Sequence, residues 1–486
     1  MDPVRIAFVS SEVAPFAKTG GLADVSAALP RFLGMAGHDV RVFMPRYATI
    51  DFRGTVVHDV EFARDIAVRH GGRTLRFSLS TTVLPGTDLA VYLIHCPELY
   101  DRATVYALDG DEHVRFSFLA RAAIESCQRM GWGPDVFHVN DWHVALLPLY
   151  LRTVYGWDAL FRRARTVLTI HNHTYQGVFP AGAVAEVGLA EYAPALHQDD
   201  LRSGVLNFLK TGILYADVVT AVSKTYADEI RTPALGEGLD DLLRRRGAGV
   251  VGIVNGVDYG EWNPATDPHI PSRYGPETLE RKAANGVELL RALNLEARDG
   301  LPTVGMVTRL TPQKGIDLLP GALPDLLARN RIRLALLGSG EERYERLLQS
   351  FQDTFPGRAC FYRGYNERLA HLIEAGSDLF LMPSKFEPCG LNQMYSLKYG
   401  TPPVVRRTGG LADTVAPFDP RTGEGDGFVF EHFTADGLRW ALHLALEAWR
   451  HPDVWRRVML SGMAKDYSWE HQAPEYVRLY RALVGR

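Results

Sequence analysis

The chain has 486 residues, 46% of them apolar and 23% charged, with 45 Gly and 28 Pro that follow no triplet period. This excludes a disordered or collagen-like chain and leaves room for two or more domains. The formal net charge is −4, from 53 basic against 57 acidic residues, so no basic field invites nucleic acid. Cys96, Cys127, Cys360 and Cys389 form no C-x-x-C pair, no stretch nears the roughly 18 apolar residues of a membrane span, and the N-terminal apolar run is too short for a signal-peptide core. A cytoplasmic protein with reduced thiols and no membrane partner is expected.

In chain order, Val4–Val9 reads as a buried strand and Ser10–Gly21 as a loop ending in paired glycines. Leu22–Ala36 repeats apolar residues at helical spacing (Leu22, Val25, Leu29, Phe32, Leu33), Gly37 is placed to cap it, and Val40–Met44 is a second strand. Strand, glycine loop, helix and strand make a βαβ unit of a parallel sheet. Residues from Arg53 to Tyr100 are looser and hairpin-like, and strands return at Val136–Val139, Thr166–Ile170 and Val218–Val222. The Gly-, Pro-, Asn- and Asp-rich stretch around Val251–Arg273 interrupts the alternation.

After residue 300 the alternation starts afresh, with strands at Thr303–Thr308, Leu334–Leu337, Ala359–Tyr362, Leu379–Met382 and Val404–Arg406. Helices are expected at Gly315–Arg329, Glu342–Phe355, Arg368–Ala375 and Leu391–Tyr399. Ala435–Val484 is mostly helical, and its tryptophans (Trp440, Trp449, Trp455, Trp469) read as packing residues. The fold class is therefore α/β: two Rossmann-like doubly wound domains facing across a deep cleft, residues 1–250 and 251–465, with residues 466–486 a helix returning to the first. Ligands of open α/β sheets bind beyond the carboxyl ends of the strands, so function should collect in the loops that follow them.

Lys18-Thr-Gly-Gly-Leu-Ala-Asp24 follows the first strand and opens a helix. Gly20 and Gly21 admit close backbone approach, and the helix start with Lys18 favours an anion; a glycine turn with a solvated lysine is the alternative. Gly338-Ser339-Gly340 lacks the third glycine of a dinucleotide fingerprint, where Arg343 stands. Arg309 and Lys314, directly after a strand, suit a diphosphate or else sit solvated on the surface. Glu387, between a strand and a helix that opens near Gly390, is a carboxylate able to accept sugar hydroxyls, with the N–H groups of Gly390 and Leu391 directed at an anion. Gly409-Gly410 follows the next strand. Cys389 reads as a nucleophile or as a small residue lining a site. His138, Asp141, His143, His171 and His173 do not have the spacing of a zinc site and fit hydrogen bonding to a polar ligand better. A G-x-S-x-G elbow is absent.

Taken together and in this order, KTGGLADV, HVNDWH, TIHNHTYQG, VNGVDYGEWNP, TRLTPQKGIDLL, PSKFEPCGLNQMYSLKYG and VVRRTGGLADTV resemble the bacterial glycogen synthase and plant starch synthase family. The resemblance implies a glycosyltransferase B-type architecture with the active site between two Rossmann-like domains, the first on the glucan-acceptor side and the second on the donor side. It implies transfer of glucose from ADP-glucose to the non-reducing 4-hydroxyl of an α-1,4-glucan with retention, and needs neither metal nor cofactor. By matched position, Lys18 and Gly21 hold the donor, and Arg309 and Lys314 its diphosphate. Tyr365 stacks on adenine, and Asp141, His171, Asn255 and Glu387 surround the glucose, with loop N–H groups near Cys389, Gly390 and Leu391. His173 stands where many relatives are apolar. Tyr395 stands where wider retaining glycosyltransferases often carry a second Glu, eight residues after the first. Front-face displacement is the implied mechanism, and Glu387 as a covalent nucleophile the rival one. The competing functions are a retaining transferase using UDP-glucose, a non-catalytic polysaccharide-binding protein and a phosphorylase; the last would need a pyridoxal-phosphate lysine, for which no motif is found.

Overall fold

The computed structural model describes every residue except 1, 53, 108, 247, 248, 299 and 486, so Arg53, the first residue of the expected hairpin-like region, lies outside the described residues. The chain forms two compact units, Met1–Gly256 with Trp469–Arg486, and Val257–Ser468. The crossing points fall a few residues beyond the expected divisions at 250 and 465.

In the N-terminal unit the strands are β1 (Arg5–Val9), β2 (Asp39–Pro45), β3 (His58–Asp59), β4 (Ile66–His70), β5 (Arg73–Val83), β6 (Ala90–His95), β7 (Val136–Asn140), β8 (Arg165–Ile170), β9 (Val178–Pro180), β10 (Val205–Asn207), β11 (Val218–Ala221) and β12 (Val250–Gly252). The main sheet runs β12-β11-β8-β7-β1-β2-β6-β5-β3, with β4 beside β5, while β9 and β10 pair separately. It is parallel from β12 to β6, and β5 then turns antiparallel to β6, β3 and β4, which is the hairpin-like region of the sequence. Ile6 to Val9 of β1 are fully buried, as expected of a central parallel strand covered on both faces. The helix Gly21–Met35 buries Leu22, Val25, Leu29, Phe32 and Leu33, the residues its spacing marks out.

The helix Trp469–Val484 belongs to this unit and lies against Gly21–Met35. Its Tyr480 hydroxyl is 2.7 Å from Nδ1 of His138 on β7. At the crossing point Gly256 lies under the Trp469 ring, where a Cβ would come within 2.5 Å of it, so only glycine fits.

The strands of the second unit are β13 (Thr303–Leu310), β14 (Arg333–Gly340), β15 (Ala359–Arg363), β16 (Leu379–Met382), β17 (Pro403–Arg406) and β18 (Phe428–Phe430). Their order is β15-β14-β13-β16-β17-β18, and every pairing is parallel. Three local expectations are corrected. The helix expected over Gly315–Arg329 is broken into turns at Pro312–Lys314 and Ile316–Leu318 and short helices Leu319–Ala322 and Pro324–Ala328; Pro320 and Pro324 lack the N–H that a continuous helix needs. Gly338 and Gly340 are strand residues: a Cβ on them would stand 2.1 and 2.3 Å from the carbonyl oxygens of Thr308 and Leu310, so they let β14 lie close to β13. Trp440 is 58% exposed, unlike buried Trp455 and Trp469, so it does not pack as expected. Among the described residues no helix is long and apolar enough to cross a membrane.

Candidate active site

In the N-terminal unit the loop after β1 is organised by a residue that sequence reading passed over. Glu12 is buried and accepts hydrogen bonds from the Thr19 N–H (2.5 Å), the Thr19 hydroxyl (2.7 Å) and the Tyr106 hydroxyl (2.5 Å). An acidic residue inside an otherwise apolar segment was its only sequence signal. Lys18 is exposed and paired: its Nζ lies 2.6 Å from Asp24 in the first turn of the following helix. Gly20 is extended, with nothing within 4 Å of where a Cβ would stand, and Gly21 begins the helix.

Asp141 and His171, from the ends of β7 and β8, are in direct contact. Asp141 has a φ of 59°, sparsely populated for a residue with a Cβ. Its carboxylate accepts the N–H groups of His171 (2.7 Å) and Asn172 (3.3 Å), and burial pushes its pKa up to about 7. His171 Nε2 is 3.0 Å from Oδ1 of Asn140, whose Nδ2 donates to the Val9 carbonyl (3.1 Å). Burial pushes His171 down to about 3, so its ring is neutral: Nε2–H donates to Asn140 and the Nδ1 lone pair is left to accept a hydroxyl. Asn255 is buried, and its Oδ1 has no hydrogen-bond partner among the described residues.

Two other candidates are core residues. His138 is fully buried between the Thr169 hydroxyl (2.6 Å) and Tyr480. His143 is buried with its ring stacked on Trp142 and Tyr106, at centroid distances of 4.1 and 5.0 Å. His173 fastens a loop: its Nδ1 is 2.5 Å from the Tyr226 hydroxyl and its Nε2–H donates to the Leu235 carbonyl at 2.6 Å.

These histidines carry a pH prediction. Burial pushes His70, His138, His143 and His171 down to about 3. The unfolded chain therefore binds more protons than the folded one between pH 3 and 6.5, so their stabilisation is full above pH 6.5 and is lost as the pH falls. Each contributes up to about 1.4 kcal/mol per pH unit inside that window. Asp141, raised to about 7, opposes them with one proton, as do Glu374, which burial raises well above the usual carboxylate range, and Asp378, which burial also raises. Thermal unfolding should show a lower Tm at pH 5 than at pH 7, with the slope reduced in a His138→Gln variant; a Tm that does not fall on acidification would contradict this.

In the second unit Lys314 follows β13 and Glu387 follows β16, and the fold brings them together. Lys314 Nζ is 2.7 Å from Glu387 Oε2, and the Ser384 hydroxyl donates to the same oxygen at 2.9 Å. Glu387 is buried and Lys314 nearly so. The next loop holds this segment closely. A Cβ on Gly409 would lie 1.9 Å from the Glu387 carbonyl oxygen, one on Gly410 would lie 2.1 Å from that of Cys389, and the Gly410 N–H donates to the Glu387 carbonyl at 3.1 Å. The paired glycines thus serve the approach of one loop to another. Cys389 is buried, and its carbonyl accepts from Gln393 Nε2 at 3.0 Å. Among the described residues the N–H groups of Gly390 and Leu391 make no hydrogen bond, and both precede the helix Asn392–Lys398.

Arg309, near the end of β13, is exposed, and its guanidinium forms no ion pair among the described residues. Tyr365, after β15, is 68% exposed. Tyr395 lies flat on Trp262 (4.1 Å, 0°), whose other face covers His371 (3.8 Å, 10°), so the missing second carboxylate is replaced by part of an aromatic stack. An ammonium in contact with a carboxylate can hold a departing diphosphate while the carboxylate balances positive charge on a sugar ring; the Arg309 guanidinium near the end of β13 and the N–H groups three and four residues after Glu387 are further donors suited to such an anion.

Residues 5–245 match the starch synthase catalytic domain family, and residues 294–457 match the glycosyl transferases group 1 family. The chain is 42% identical to the glycogen synthase of Geotalea daltonii, over 99% of each chain. It is 46% identical to that of an Anaeromyxobacter species, over 99% of this chain and 100% of the relative. The catalytic domain of starch synthase IV from Arabidopsis thaliana, solved bound to ADP and acarbose, superposes with a TM-score of 0.90 at 31% identity and full coverage of both chains.

Proposed function

The chain belongs to the glycogen and starch synthase family of glycosyltransferases, and within it we propose that the protein transfers glucose from ADP-glucose to the non-reducing 4-hydroxyl of an α-1,4-glucan in the cytoplasm, with retention. The observation that carries this reading is the Lys314–Glu387 contact of 2.7 Å, followed in the chain by the unbonded N–H groups of Gly390 and Leu391. Glycosyl transfer from a diphosphate develops negative charge on the leaving group and positive charge on the sugar. Lys314 is placed to meet the first, Glu387 the second, and their contact fixes the distance between the two charges.

In this reading Arg309 joins Lys314 on the diphosphate, Tyr365 lies against adenine, and the backbone at Cys389, Gly390 and Leu391 holds the donor. In the N-terminal unit Lys18, Gly21, Asp141 and Asn255 have substrate-binding roles and His171 a catalytic one. The neutral His171 ring and the unsatisfied Asn255 Oδ1 are both acceptors, suited to sugar hydroxyls. The ADP bound by the Arabidopsis enzyme supports the adenine donor.

Measuring the nucleotide released from ADP-glucose or UDP-glucose, with and without glycogen, tests the reading. Glycogen-dependent release of ADP, far faster than that of UDP, is expected; faster turnover of UDP-glucose, or release indifferent to glycogen, would overturn it. In this reading the chain's own cations neutralise the diphosphate, so glucose incorporation should survive excess EDTA. Loss of activity restored by Mg²⁺ would show that a divalent ion shares the task.

A further inference from the structure

A second cluster in the C-terminal unit has the make-up of a metal centre and plays no part in the reading above. Glu367 and His371 lie four residues apart in the helix Glu367–Gly376, and so on one face of it. His269 comes from the segment before Tyr274, held by the bond from its N–H to Asp267 Oδ1 (2.7 Å). The ligand atoms that His269, Glu367 and His371 offer all lie within 4.8 Å of one another.

The second observation is His371 itself. Its side chain is fully buried, and its Nδ1 lies 2.8 Å from Asp267 Oδ2, which also accepts the Tyr399 hydroxyl at 2.5 Å. That bond places the ring proton on Nδ1 and leaves Nε2 as the bare lone pair, and Nε2 has no hydrogen-bond partner. A buried acceptor left unsatisfied is costly and uncommon. A carboxylate on one imidazole nitrogen with the other left open is the arrangement by which proteins orient metal-binding histidines.

We propose that His269, Glu367 and His371 bind a divalent transition-metal ion of the Zn²⁺ type. Two imidazoles and one carboxylate suit a borderline ion better than Mg²⁺ or Ca²⁺, which take oxygen ligands. Glu367 is exposed, so water completes the coordination on that side. The ion ties the helix Glu367–Gly376 to the segment carrying Asp267 and His269, and thereby fixes a stack in which Trp262 covers His371 on one face and Tyr395 on the other. Its role is structural: the ion stabilises the fold and takes no part in glucose transfer.

The test uses the tag-free full-length protein, stripped with chelator and titrated with Zn²⁺ by calorimetry, with tryptophan fluorescence recorded because Trp262 stacks on His371. One equivalent should bind at micromolar affinity or better, with a change in emission and a higher Tm. His269→Ala and Glu367→Gln alter side chains outside the buried core, keep the fold by circular dichroism, and should each weaken binding at least tenfold. Absence of saturable binding at one equivalent, or unchanged affinity in both variants, would overturn the proposal. Survival of glucose transfer under EDTA with a lowered Tm supports it, and the outcome is independent of which nucleotide sugar is used.

Discussion

Replacing Glu387 by Gln is expected to lower kcat about a hundredfold or more while leaving the affinity for ADP-glucose within a few-fold. The substitution preserves shape and can still accept from Ser384, so the loop that Gly409 and Gly410 hold should stay in place. What it removes is a negative charge opposite Lys314. That charge matters most when the sugar ring becomes positive, and groups that act on charge developing in the transition state typically cost about 10²–10³ in rate when removed. Donor affinity is spared because the ground-state sugar is neutral and Lys314, released from its partner, remains available to phosphate. Steady-state kinetics with ADP-glucose and glycogen separate the two effects; a rise in KM with kcat intact would make Glu387 a plain binding residue.

Arg309→Ala and Lys314→Ala should each lower kcat/KM for ADP-glucose at least tenfold, since a charge-assisted hydrogen bond contributes about 1.5–3 kcal/mol. Both would act on one ligand, so the double variant should lose less than the sum. The sequence alone gives no reason to expect either change to affect stability, but the structure separates them. Arg309 is exposed, and its removal should leave the Tm unchanged. Lys314→Ala strands the buried Glu387 carboxylate without its counter-charge and should lower stability by about 1–3 kcal/mol. Near-normal turnover in both single variants would move the diphosphate site away from β13.

The parts of the fold legible in the sequence were those governed by local periodicity and turn chemistry. Leu22 to Leu33 mark their helix face, the apolar runs of β1, β13 and β16 mark buried strands, and the glycine pairs mark loops beyond strand ends. Long-range partnership was not legible. The 73-residue separation between Lys314 and Glu387 hides their contact. His138 looked available because a strand end looks open in one dimension; Tyr480, 342 residues away, closes it. Gly338 and Gly340 mimic a phosphate loop because a glycine is read the same way whether ligand or neighbouring strand is the body that approaches. The cluster around His371 gave no signal, as its members are drawn from 267–269, 367–371 and 399.

The helix Trp469–Val484 completes the N-terminal unit, although the entire second unit is spelled out before it. On the ribosome the unit begun first is therefore finished last. At about 5–20 residues per second, on the order of 10–50 s separate the emergence of Gly256 from that of Tyr480. Through that interval His138 lacks its Tyr480 partner, and the surface of Gly21–Met35 that the last helix covers is bare. The contiguous stretch Val257–Ser468 needs nothing downstream of itself and can fold during the wait. A nonsense mutation at Trp469 would thus strike the earliest-made half of the protein, and would leave the later-made half whole.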